Sequence, residues 1–76
     1  MNIAEFIEKF AEQFDDRPEG LTPSYNFREV EGWCSIVGLS VIAMVDEEYD
    51  VQLSGDDIRS SNTIEDIFNK VVAKKG

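Results

Sequence analysis

Ile3, Phe6, Ile7, Phe10 and Phe14 recur at helical spacing and predict an amphipathic first helix, with Glu5, Glu8, Lys9 and Glu12 on its other faces. Asn2 is placed as its N-cap, and Glu5 three residues on completes a capping-box pattern. Asp15-Asp16-Arg17-Pro18 ends the stripe, and Gly20 and Pro23 keep it ended. Residues 15–34 then read as a long connection between two helices. Leu21, Tyr25, Phe27 and Val30 are its expected apolar pins, and Asn26 and Gly32 supply turn chemistry.

A second helix is expected from Ser35 to about Tyr49. On a helical wheel Gly38, Val41, Ile42, Val45 and Tyr49 cluster as the core face. Ile36, Ser40, Ala43 and Glu47 lie opposite, flanked by Leu39 and Met44. An ordinary surface helix is polar there, whereas this one keeps Ile36, Leu39 and Ala43 in line. Two readings stay open: burial on more than one side by the long loop, or an exposed stripe for a partner. Asp46, Glu47, Glu48 and Asp50 crowd the C-terminal end, where the helix dipole disfavours acids.

Val51-Gln52-Leu53 is too short to count as a sheet. Ser54-Gly55-Asp56-Asp57 reads as a cap and a short helical turn with Ile58 pointing inward. A last helix is expected from Asn62 or Thr63, with the stripe Ile64, Ile67, Phe68, Val71 and Val72. Glu65 and Asp66 in its first turn and Lys70, Lys74 and Lys75 toward its end suit the dipole. The sum is an all-α fold in one domain, residues 1–76. It is a small four-helix bundle of three main helices and one short helix, with a long loop between the first two.

Composition narrows the function. With 16 acidic against 7 basic residues the formal net charge is -9, which repels phosphate backbones and anionic membrane surfaces. Nucleic acid and membranes are therefore not expected partners. The chain has no histidine, so imidazole bases and His-ligated metals are excluded. The one cysteine, Cys34, permits no internal disulfide. No apolar run is long enough to cross a bilayer, and Met1–Glu5 lacks signal-peptide character, so a cytoplasmic monomer is the expectation. Asp50-x-Gln52-x-Ser54-Gly55 begins like a calcium loop, but Ser61 stands where a bidentate Glu is needed, and no metal site is assigned. Ser35 opens the second helix; it is either a plain N-cap or, at a positive helix end, a seat for a phosphate ester. With no general base it is no hydrolase nucleophile, though it can be another enzyme's substrate.

The stretch Gly32-Trp33-Cys34-Ser35-Ile36, followed by Val41-Ile42-Ala43-Met44-Val45-Asp46-Glu47-Glu48-Tyr49, resembles the acyl carrier proteins. Their hallmark is Asp-Ser-Leu opening the second helix, an apolar run and Glu-Glu-Phe. Thr63-Ile64-Glu65-Asp66-Ile67 is similar to their Thr-Val-x-Asp motif at the fourth helix, and the spacing from Ser35 to Asp66 matches without a gap. The resemblance implies a carrier rather than an enzyme. A phosphopantetheinyl transferase would attach 4'-phosphopantetheine from coenzyme A to Ser35. Acyl groups would then ride on the arm's thiol to acyl-processing enzymes of fatty-acid or related secondary acyl biosynthesis. By the same resemblance, basic docking patches on those partners would meet Glu47 and Glu48, with Ile36, Leu39 and Ala43 as apolar contacts. The chain departs from the family where Cys34 replaces the Asp before the serine and where Trp33 replaces a small residue. The alternative is an acidic helical interaction module of the same fold without the prosthetic group. A thiol protein centred on Cys34 ranks last.

Overall fold

The computed structural model describes residues 2–75; Met1 and Gly76, the ends of the expected domain, lie outside them. Four helices follow in order: α1 (Ile3–Ala11), α2 (Ser35–Tyr49), α3 (Gly55–Arg59) and α4 (Ile64–Lys75). A single 3-10 turn, Phe27–Glu29, interrupts the loop between α1 and α2. No strand forms among the described residues, only an isolated bridge between Asn26 and Thr63. The fold is a small helical bundle in which α2 packs against α1, α3 and α4.

Asn2 caps α1, its side chain accepting from the Ala4 N–H at 2.7 Å rather than from Glu5. The helix ends at Ala11, short of the predicted stripe. The last turn tightens, with Gln13 N–H bonding to the Phe10 carbonyl and Phe14 N–H to that of Ala11. That tightening swings Phe14 back into the core although it lies beyond the helix. Phe6 and Phe10 are fully buried beneath it, while Ile3 and Ile7 are half-buried.

The long loop is fastened in ways its sequence hid. Phe27 and Val30 are buried and Leu21 packs against the core, as expected, but the Tyr25 ring is exposed. Tyr25 contributes its backbone instead: its carbonyl accepts from Ile64 N–H at 3.2 Å, and that of Pro23 accepts from Glu65 N–H at 2.9 Å. These loop carbonyls satisfy donors that the start of α4 would otherwise leave unpaired. Asn26 caps the 3-10 turn by accepting from Arg28 N–H. Arg28 then reaches across to the end of α3, donating to the carbonyls of Ile58 and Arg59 and to Asn62 Oδ1. A cation on terminal carbonyls opposes the negative end of the helix dipole.

Reciprocal caps begin α3 and α4. Asp57 N–H donates to Ser54 Oγ while Ser54 N–H donates to Asp57 Oδ2. Asp66 N–H donates to Thr63 Oγ1, and the N–H groups of Asn62 and Thr63 both donate to Asp66 Oδ2. Hydrogen bonds from backbone N–H groups hold both carboxyls below the usual carboxylate range. Ser61 is wholly buried, its hydroxyl donating to the Asp57 carbonyl at 2.8 Å.

On α2 the buried face is Val37, Gly38, Val41, Met44 and Val45. The predicted face is therefore rotated: Met44 goes inside, and Ile42 and Tyr49 are only half-buried. On α4 Ile64, Ile67 and Val71 are buried, Phe68 is half-buried and Val72 is 42 % exposed. Phe68 lies edge-on to Phe6, with centroids 5.4 Å apart. It is thus a flank of the core rather than its centre.

Truncations should sort by this burial. A domain this small has only about 3–5 kcal/mol to lose. Phe10→Ala, costing about 3–5 kcal/mol, is expected to leave most molecules unfolded by circular dichroism. Ile67→Val should fold and lose about 0.5–1.5 kcal/mol in urea titration. Val72→Ala should stay within about 0.5 kcal/mol of wild type.

The caps predict a pH dependence. Folding lowers the Asp57 and Asp66 pKa values, so their stabilisation is complete above the ordinary carboxylate pKa of about 3.9. It is lost as pH falls through the depressed folded values. Between about pH 6 and about pH 2, the urea midpoint of wild type should fall further than that of Asp66→Ala. Relief of acid–acid repulsion is common to both chains, so equal slopes would remove the cap from this account.

Candidate functional site

Three positions before Ser35, Gly32 takes φ 94 and turns the loop toward α2. Cys34 follows in extended conformation and is the N-cap, but its side chain makes no capping hydrogen bond. Ser35 is thus the first helical residue and not the cap, which corrects the plain N-cap alternative. Its side chain is exposed and makes no hydrogen bond among the described residues. The first helical bond is from Gly38 N–H to the Cys34 carbonyl at 3.0 Å. The N–H groups of Ser35 and Ile36 find no acceptor among the described residues, so the positive end of α2 is open beside a free hydroxyl.

Two grooves flank this point. One, of about 360 Å³, lies between α2 and α3; Trp33, Gly38, Leu39, Ile42 and Ile58 line it, with Ser35 at one edge and Arg28 and Arg59 among its walls. The other, of about 610 Å³, lies toward the loop after α1; Asp15, Asp16 and Glu31 line it together with Arg17 and Ile36. Ser35 stands beside an apolar groove with two guanidinium groups, while its neighbour Ile36 borders one with three carboxylates and a single guanidinium.

Trp33 separates the first groove from the core. Its ring meets Phe27 at 4.7 Å in a T-shaped pair and stacks with Phe10 at 6.2 Å. Gly38 carries no side chain over this ring, and a Cβ there would already touch it at 3.7 Å. The small residue keeps the groove floor open above the indole.

All the partner-contact residues expected from the sequence are at the surface: Ile36, Leu39, Ala43, Glu47 and Glu48. Ile36 and Leu39 are 74 % and 66 % exposed, the most exposed large apolar side chains described. They form a ridge rather than one patch. Leu39 faces the α3 side with Ser35, Ile36 faces the acidic groove, and Ala43, Glu47 and Glu48 border a depression against α1. The two glutamates also differ. Glu48 pairs with Lys9 of α1 at 2.8 Å, whereas Glu47 has no ionic partner among the described residues. Lys75 donates to the Tyr49 carbonyl at 2.8 Å, so cations from α1 and α4 offset the acids that end α2.

Arg28 and Arg59 were missed by sequence reasoning. Their separation along the chain carries no pattern; only the tertiary fold brings them to one groove. The chain's three arginines, against its net charge of -9, were the one available signal. Among the described residues no cluster of three or more metal-binding side chains forms, and no helix is long and apolar enough to cross a membrane. No family model matches the chain, and no curated protein and no solved structure matches it either.

The split between the glutamates is testable by stability. Glu48→Lys sets two like charges together and should lose about 0.5–1 kcal/mol in urea titration. Glu47→Lys breaks no ion pair and should stay within about 0.5 kcal/mol of wild type.

Proposed function

We propose that this chain is an acyl carrier whose working residue is Ser35. The observation that carries the reading is an exposed hydroxyl with no capping duty at the open, positive end of α2, beside the exposed apolar side chains of Ile36 and Leu39. A hydroxyl so placed is reachable by another enzyme, and free N–H groups favour a phosphate ester at that point. In the modification step Ser35 Oγ bonds to the phosphorus that bears the pantetheine arm. The pyrophosphate bond of coenzyme A breaks, adenosine bisphosphate leaves, and the hydroxyl proton passes to a base on the transferase. The residues present fit the group: they offer a free nucleophilic oxygen, an adjoining groove and no steric cover. Bound there, 4'-phosphopantetheine supplies the thiol that holds acyl groups as thioesters. The chain itself positions and presents, and it performs no chemistry.

Recognition follows from charge and exposure. Basic patches of the transferase and of acyl-processing enzymes meet the acidic surface, where charge sets mainly the association rate. Ile36, Leu39 and Ala43 supply apolar contact, and Glu47 is the freer of the two glutamates. Fatty-acid or related secondary acyl synthesis in the cytoplasm is the setting this reading supplies.

Two observations favour the second reading, an acidic interaction module without an arm. Cys34 stands where the family's Asp would precede the serine. The Thr63–Asp66 motif is also accounted for as a helix cap, which any bundle can use.

Incubation with coenzyme A and a broad-range phosphopantetheinyl transferase decides between them. Mass spectrometry should find one phosphopantetheine on the peptide containing Ser35 and none on Ser35→Ala. Glu47→Lys should load more slowly at low salt and at nearly the wild-type rate at high salt. Unchanged mass with several transferases would overturn the carrier reading and leave the interaction module.

A further inference from the structure

Resting on the reading that Ser35 carries 4'-phosphopantetheine, we propose that Arg28 and Arg59 hold the arm's phosphodiester, laying the arm along the groove between α2 and α3. Charge is the first argument. Arg28 and Arg59 line the groove that Ser35 borders, and no carboxylate lines it. The groove beside Ile36 carries Asp15, Asp16 and Glu31. A phosphodiester anion on Ser35 is attracted to the first and repelled by the second.

Arg28 is the fixed member of the pair. Its guanidinium donates to two carbonyls and to the Asn62 amide oxygen, and lies 5.1 Å from the Phe27 ring centroid. These partners are neutral, and no ion pair forms to it among the described residues. In a chain of net charge -9 it is an immobilised cation without a counterion. Arg59 is the adjustable member. Among the described residues its only ionic partner is Asp56, one helical turn away on an exposed surface. An exposed pair of this kind is weak, so its fork can turn to a phosphate oxygen instead.

Shape is the second argument. Trp33, backed by Phe10 and Phe27, closes the groove floor against the interior. The first segment of the arm therefore runs over Trp33, Leu39 and Ile42 at the surface. Trp33 is the only tryptophan in the chain and reports directly on that passage.

The test uses the full chain before and after loading with coenzyme A and a transferase, loading being verified by mass. On loading, Trp33 emission should shift and the Nε–H resonances of Arg28 and Arg59 should move. Added salt should diminish both changes. In loaded Arg59→Gln the phosphorus resonance should move away from its wild-type position and the Trp33 shift should shrink. Arg28→Gln should lose more, provided circular dichroism finds it folded; Arg59→Gln and wild type decide the matter if it is not. A protein that loads fully yet leaves Trp33 emission and both arginine resonances unchanged would overturn this inference and spare the carrier function. A protein that never loads would overturn both.

Discussion

Phe10 touches four other aromatic rings: Phe6 and Phe14 from its own segment, Phe27 from the long loop and Trp33 from the approach to α2. It is fully buried, and its contacts with Phe27 and Trp33 join two other stretches of chain to α1. A bundle this small has no second core to fall back on. The loop can cross the molecule as irregular backbone because Phe27 and Val30 anchor it in this cluster. Trp33 is seated by the same rings, and Trp33 in turn fixes where Cys34 ends and Ser35 begins. The position of the candidate site is therefore a consequence of aromatic packing some distance beneath it.

Electrostatics then finishes what packing starts. The chain has few cations, and the fold uses most of them at helix ends or on acids. Lys9 meets Glu48, Lys75 meets the Tyr49 carbonyl, Lys74 meets Asp57, and Lys70 donates to the Asp57 carbonyl. Arg28 closes α3. Each contact is weak alone, typically below about 1 kcal/mol at the surface, and together they link α1 and α4 to α2 and α4 to α3. Among the described residues they leave Glu47 and Arg28 without an ionic partner, the second in the groove beside Ser35.

The helices were legible because their periodicity and caps are local. The bounds of α2, the inward Ile58 and the capping by Ser54 follow from spacing and side-chain type alone. The stripe of α1 was right in its members, although Phe14 joins the core from a turn. The face of α2 was harder. A helix apolar on nearly all sides has no clear wheel direction, so Met44 was placed outside and Ile42 inside. Tyr25 was misjudged because its contribution is a carbonyl, which every residue carries.

By itself the sequence determined four helices, the caps by Asn2 and Ser54 and the acidic composition, while the exposure of Ile36, Leu39 and Ala43 was one of two readings it left open. These depend on residues within a few turns of one another, where side-chain pattern and backbone geometry are coupled directly. Only the tertiary structure decided that Pro23 and Tyr25 cap α4, that Lys9 engages Glu48, and that Arg28 and Arg59 share a groove with Ser35. Those pairings join residues far apart in the chain. Their partners were chosen by how the aromatic cluster packs, and nothing in the spacing of the residues themselves encodes that choice.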